Sequence, residues 1–270
     1  MTAPAPGPTG LVEVERQLRR LSLSGMAESL GLRVQEALHH QLAYPEFLEL
    51  LLEDELARRR DRLFARRVKQ AGLPPLKTLA DFDWAFNPQI PKALLLELAA
   101  ARFVPEHRGV LLLGPPGTGK SHIAVALAAE AIRAGYTALY RSAFDLVQDL
   151  AEAAATGTRP DLVRRLTKVD LLVVEDLGMR RLPGTAAEDL LEVFARRYEA
   201  GAVILTTNRP VEDWGNLLGD TAAAGAILDR FLHHADVIRL QGRSRRMYER
   251  QQRQRQDTSA ADPPLPHMTP

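Results

Sequence analysis

Val110-Leu111-Leu112-Leu113-Gly114-Pro115-Pro116-Gly117-Thr118-Gly119-Lys120-Ser121 joins four apolar residues, a glycine-rich turn, and a lysine and hydroxyl that open a helical pattern running to about residue 134. An apolar run of that length, bounded by turn residues, predicts a buried strand. Strand, glycine-rich loop and helix in register make the context of a phosphate-binding P-loop. The glycines let the backbone curl so that successive N–H groups face phosphate oxygens, and the helix N-terminus adds its positive end. Lys120 is placed to neutralise β- and γ-phosphates, and Ser121 to put a hydroxyl on a magnesium ion between them. The candidate nucleotide-binding residues are therefore Gly114, Pro115, Pro116, Gly117, Thr118, Gly119, Lys120, Ser121 and His122, with ATP and magnesium as expected ligands.

Outward from this block, apolar runs at 110–113, 138–140, 171–174, 203–206 and 237–240 alternate with helical patterns at 120–134, 143–167, 185–200 and 222–234. That alternation predicts an α/β fold, a five-stranded parallel sheet flanked by helices, with crossovers long enough to be right-handed. The third run ends in Glu175-Asp176. Two carboxylates at the exit of a buried strand lie where open α/β sheets bind ligands. One acid is expected to hold magnesium and the other to orient or deprotonate the attacking water. Because neighbouring strand residues point to opposite faces, the two acids are expected to take separate roles. The fourth run ends at Asn208, either a partner for a γ-phosphate or lytic water, or a routine turn residue before Arg209-Pro210. Arg230, late on a helical stretch, is a candidate to reach a neighbouring subunit's nucleotide; the alternative is a surface ion pair with Asp229 or another acid.

Other clusters read more simply. His39-His40 and His233-His234 are set aside as metal sites, since adjacent helical residues point about 100° apart. Phe82 and Trp84 are candidates for the adenine wall or for core between domains. The absence of an Asn-Lys-X-Asp motif disfavours guanine, and the paired acids with no acceptor-binding insertion disfavour a small-molecule kinase.

The 270 residues are 46% hydrophobic and 26% charged, the balance of a globular chain with room for two units. The chain has no cysteine, so neither disulfides nor thiolate metal sites are available, and a cytoplasmic location is expected. No apolar stretch approaches the ~20 residues that span a bilayer, so no membrane partner is expected. The expected organisation is a disordered start at 1–10, a small all-α unit at 11–75, the nucleotide-binding domain at 76–256 and a disordered Pro-rich tail at 257–270. The helix opening near Pro45 carries acids early and bases late, a match to the helix dipole that is equally compatible with a DNA- or partner-facing surface. A second basic run extends from Arg239 to Arg255.

With the P-loop, acid pair, Asn208 and Arg230 in this order, and the linker Thr78-Leu79-Ala80-Asp81-Phe82-Asp83-Trp84 upstream, the chain resembles AAA+ ATPases of the IstB type, with bacterial DnaC helicase loaders as close relatives. The resemblance covers about residues 11–250. It implies an ATP-hydrolysing helper that forms homo-oligomers through the nucleotide interface, engages double-stranded DNA and works with a transposase, or in the alternative with a replicative helicase. It makes Asn208 a sensor residue, Arg230 an arginine finger and Arg246 a further basic contact. Arg159, Arg164, Arg165 and Lys168 fall where initiator-type relatives carry a DNA-contacting helix. Two departures stand out. Glu175 precedes Asp176 where the family's commoner order is Asp-Glu, which assigns magnesium to Glu175 and the catalytic role to an acid about 1.5 Å shorter in reach, and predicts slow hydrolysis. Little chain follows Leu240 to form a lid, so the nucleotide is expected to depend on a neighbouring subunit.

Overall fold

Leucines at helical spacing near the N-terminus build α1 (Pro8–Arg20) and α2 (Ser24–His40), and the charged segment after Pro45 builds α3 (Tyr44–Ala71). The structure, a computed structural model, describes residues 8–178 and 186–260. The chain divides into two compact units, Met1–Arg67 and Val68–Pro270. In the first, Met26, Leu30 and Leu51 are buried with Leu11, Leu18, Leu23, Val34 and Phe47 packed around them. Glycine at position 25 lets α2 and α3 touch, since a Cβ there would lie 2.6 Å from Glu55 Cα. The Glu55 carboxylate accepts the Gly25 N–H at 2.6 Å, pairing an amide that the start of a helix leaves without a partner.

The division falls before the expected 75/76 boundary, because the last turn of α3 belongs to the second unit: Ala71 is fully buried, and a Cβ on Gly72 would lie 3.2 Å from the Arg141 guanidinium. Helix also takes in part of both expected disordered ends. Pro8 suits a first helical turn, and no proline interrupts the chain between Arg245 and Ala260. The rest of those ends, 1–7 and 261–270, lies outside the described residues.

The second unit runs α4 (Lys92–Ala99), β1 (Gly109–Leu113), α5 (Lys120–Arg133), β2 (Ala138–Ser142), α6 (Ala143–Ala155), α7 (Arg159–Lys168), β3 (Leu171–Leu177), α8 (Ala186–Arg197), β4 (Ala202–Thr207), α9 (Trp214–Leu218), α10 (Thr221–His233), β5 (Ala235–Arg239) and α11 (Arg245–Ala260). The sheet is wholly parallel, in the order β2-β3-β4-β1-β5, and its helices supply the crossovers that parallel pairing requires. The single helix expected over 143–167 is two, because Gly157 turns the chain at φ 73° between α6 and α7. Both faces of the central strands are covered: β4 is buried along its whole length. Each such Leu, Ile or Val contributes roughly 1.5–3 kcal/mol by burial.

Arg197, 2% exposed, is the least expected core residue. Its guanidinium donates to the carbonyls of Leu166, Val169, Asp170 and Ala202 at 2.6–3.1 Å. Burial pushes its pKa down to about 10, so it remains charged at neutral pH. Among the described residues, no helix is long and apolar enough to cross a membrane.

Candidate functional site

With β4 lodged between β1 and β3, the C-terminal ends of these three strands deliver the glycine-rich loop, the acid pair and Asn208 to one edge of the sheet. They meet at a cavity of about 370 Å³, within the usual size range of small-molecule sites. Lys120, Ser121, Asp176 and Asn208 line it, with Phe82 and Arg246 on other sides.

The loop is drawn tight by its own side chains. Lys120 Nζ donates to the carbonyls of Gly114 and Pro115 at 2.7 and 2.9 Å, and Thr118 Oγ1 donates to Pro115 O at 2.9 Å. Burial lowers the Lys120 pKa, while Asp176 and Glu175 pull it back up. Gly119 holds φ 105°, and a Cβ there would lie 2.6 Å from the Phe82 ring, so this position requires glycine both for its backbone and for its neighbour. Phe82 also meets His122 edge-on at 5.1 Å, and His122 Nε2 donates to Thr78 O at 2.7 Å. Phe82 therefore lines the cavity, while Trp84 packs against it at 4.7 Å and donates to Leu79 O.

The acid pair does not follow simple strand alternation. Val174 faces Leu205 and Leu177 faces Thr207, so Glu175 and Asp176 together oppose Thr206 alone, a β-bulge. Asp176 sits in the left-handed region at φ 58°, a conformation that costs roughly 1–2 kcal/mol in most non-glycine residues. Its N–H donates to Thr206 Oγ1 at 2.9 Å. Both acids act electrostatically on Lys120, and Asp176 lines the cavity.

Glu175 is 6% exposed; Ser121 hydrogen-bonds its carboxyl, and its Oε1 is buried with no hydrogen-bond partner. Asn208 Oδ1 is buried in the same condition. A buried carboxylate oxygen with a hydroxyl beside it and a second acid next in sequence is a fitting oxygen donor set for magnesium. Burial chiefly, with the Asp176 charge adding, raises the Glu175 pKa above 4.5 against the pull of Ser121, Arg246 and Lys120. Between the unfolded and raised values the folded chain keeps a proton that the unfolded chain has lost, so stability falls as pH climbs through that window. Glu175→Gln is therefore expected to raise Tm at pH 7 without nucleotide or magnesium, each kcal/mol regained being worth about 2–4 °C, with the gap narrowing toward pH 4.5. Thermal scans at several pH values check this; a Tm that falls, or a gap independent of pH, contradicts it.

The chain beyond Leu240 covers the loop rather than leaving it open. Leu240 N donates to Leu113 O at 2.7 Å and Arg245 N to Gly117 O at 2.9 Å, bringing the start of α11 onto the P-loop. Asn87 locks this segment in place: its Oδ1 accepts the Arg243 N–H and its Nδ2 donates to Arg243 O, at 2.8 and 3.0 Å. Phe86 lies beneath the Arg243 and Arg245 guanidinium groups, and Arg245 pairs with Asp83 at 2.5 Å. The 77–87 linker and residues Arg245, Arg246 and Glu249 thus line one side of the cavity within the chain. Sequence reading missed Asn87, Asp83 and Thr206, whose partners Arg243, Arg245 and Asp176 lie far along the chain.

Arg230 is exposed on α10, where its Nη1 donates to its own helix at Ala226 O, and among the described residues no carboxylate ion-pairs with it. It precedes β5, whose start pairs with the start of β1, so it lies at the end of the sheet opposite Lys120. Of the four basic residues near α7, Arg159 is taken up by Asp189 and Glu192 of α8 at 2.8 and 2.5 Å, whereas Arg164, Arg165 and Lys168 are exposed. The His233 and His234 rings come within 4.0 Å because His234 leaves the helical conformation at φ −125°.

Comparison with known proteins agrees with this arrangement. The family model described as IstB-like ATP binding protein matches residues 16–254. The chain is 35% identical over 237 residues to a protein named for ATP binding in insertion sequence IS5376 of Geobacillus stearothermophilus, covering 88% of this chain and 94% of that one. It is also 35% identical over 238 residues to the corresponding protein of insertion sequence IS21 from Pseudomonas aeruginosa, covering 88% and 90%. In fold it is similar to AMPPCP-bound DnaA from Aquifex aeolicus (21% identity, TM-score 0.53, 68% of this chain and 56% of that one) and to DnaI (20%, 0.53, 61% and 91%). Those two likenesses establish the P-loop AAA+ fold, and the match along nearly the whole length of the insertion-sequence proteins is closer: this chain belongs to the IstB-like ATP-binding protein family.

Proposed function

We propose that this protein binds ATP with magnesium, hydrolyses it to ADP and phosphate, and uses the cycle to assemble on double-stranded DNA in support of a transposase. One observation carries the reading: Lys120, Ser121, Asp176 and Asn208 converge on a single cavity from three adjacent strand ends, with the buried Glu175 hydrogen-bonded to Ser121 behind them.

Lys120 would exchange the Gly114 and Pro115 carbonyls for β- and γ-phosphate oxygens, while loop N–H groups take the remaining ones. Ser121 and Glu175 would hold magnesium, which when bound would supply charge neutralisation to the triphosphate. Asp176 orients a water and accepts its proton as the water oxygen bonds to the γ-phosphorus and the bond to the β-bridging oxygen breaks, releasing ADP. Asn208 steadies the water or γ-phosphate through its side-chain amide. Arg230, remote from its own chain's loop, would serve the nucleotide of the next subunit. Insertion-sequence naming of the relatives supports the transposase as partner, and the N-terminal helical unit would be its docking element. The exposed Arg164, Arg165 and Lys168 are the remaining candidates for phosphate contacts on DNA.

Asp176→Asn is expected to lower the rate of phosphate release about 100-fold or more while leaving ATP affinity within about twofold, since general-base contributions run to 10²–10⁴. Phosphate release and nucleotide titration with a fluorescent analogue measure both. Unchanged hydrolysis would remove Asp176 from the mechanism, and co-purification with a replicative helicase in place of a transposase would redirect the partner assignment.

A further inference from the structure

The bulge at the end of β3 demands an explanation that the nucleotide does not provide. In a regular strand Asp176 would point away from the face that Glu175 occupies. Here two residues oppose one, Asp176 adopts φ 58°, and its side chain lines the nucleotide cavity. Opening a ladder in this way leaves the bulged residue's N–H without its usual carbonyl, and a buried N–H must find another acceptor.

Thr206 is the one residue facing the bulge, and it is fully buried. Its Oγ1 takes the Asp176 N–H at 2.9 Å. The next residue secures the exit: Thr207 Oγ1 donates to Leu177 O at 2.6 Å and accepts the Arg209 N–H at 3.1 Å, on either side of Asn208. Two consecutive threonine hydroxyls thus tie the backbone of Asp176, Leu177 and Arg209 together, where valines of the same shape would fill the space and hold nothing.

We infer that Thr206 is a positioning residue for Asp176: its hydroxyl replaces the missing ladder carbonyl and holds the acid in the left-handed conformation that presents its carboxylate to the cavity. This rests on the reading of Asp176 as the residue that handles the attacking water. Thr206 itself does not touch substrate; it acts through the Asp176 backbone.

The test compares wild type with Thr206→Val, Thr206→Ala and Thr206→Ser, each alone and with Asp176→Asn, in the full chain. Measured quantities are kcat for phosphate release, KM for ATP, and affinity for a fluorescent ATP analogue with magnesium. Thr206→Val and Thr206→Ala are expected to lose about 10- to 100-fold in kcat, the scale of an ångström's misplacement, with KM and affinity within about twofold. Thr206→Ser is expected to retain most of the rate. In the Asp176→Asn background the valine should add little, because a group that acts only through Asp176 has nothing left to position. The alanine variant, which adds no methyl in place of the hydroxyl, serves if valine disturbs folding.

The inference is overturned if the valine and alanine variants keep wild-type kcat, if serine fails as badly as valine, if kcat and affinity fall together, or if the losses simply add to that of Asp176→Asn. Wild-type protein that binds ATP and never releases phosphate overturns the hydrolysis reading and the inference with it. Wild-type turnover with unimpaired Thr206 variants overturns the inference alone.

Discussion

Lys120→Ala is expected to weaken ATP binding about 100-fold or more and to abolish measurable hydrolysis. The ammonium group is held by two carbonyls of the loop it is expected to serve, 2.7 and 2.9 Å away, and would exchange them for phosphate oxygens. Charge-assisted hydrogen bonds are worth about 1.5–3 kcal/mol each, and two lost contacts to phosphate amount to a factor of at least 100 in affinity. Fold should survive, because the burial that lowers the Lys120 pKa is itself unfavourable to the charged group. Isothermal titration with ATP and magnesium, beside a thermal scan, separates the two effects. Near-native affinity in a stable Lys120→Ala protein would dismantle the proposed function.

Arg230→Ala is the second large effect, and its signature is that it acts on another copy. Arginine fingers contribute about 10³–10⁵ to the rate of phosphoryl transfer. Arg230 is exposed and lies at the far end of the sheet from its own P-loop, so the variant should bind ATP normally yet lose about 1,000-fold in turnover. Mixing it with Lys120→Ala supplies the decisive comparison. One variant retains an intact loop and the other an intact arginine, so shared interfaces should recover activity that neither protein has alone. Recovery absent across a range of mixing ratios, or full activity of Arg230→Ala by itself, would exclude a role in trans.

The placement of most candidate-site residues was legible because local backbone demands dictate residue type. Gly119 needs a positive φ and a close neighbour, Lys120 and Ser121 open a helix, and five apolar runs mark five strands whose ends carry the polar residues. What escaped were features set by distant partners. The Asn87–Arg243 clamp joins positions 156 residues apart, and nothing local to either distinguishes it from a solvated loop. The bulge at Asp176 escaped because strand alternation is read one strand at a time, whereas a bulge is a property of two paired strands. Arg159 looked like its neighbours Arg164 and Arg165 until α8 brought Asp189 and Glu192 against it. The break at Gly157 was the exception, a local signal passed over within a long helical pattern.

The buried Arg197 has a mechanical consequence. By gripping carbonyls at the tail of α7 and at the roots of β3 and β4, it riveted a surface helix to the two strands whose tips carry the acid pair and Asn208. A tug on α7 is therefore passed along rigid struts instead of being absorbed in a slack joint, and α7 cannot peel away until the rivet is drawn.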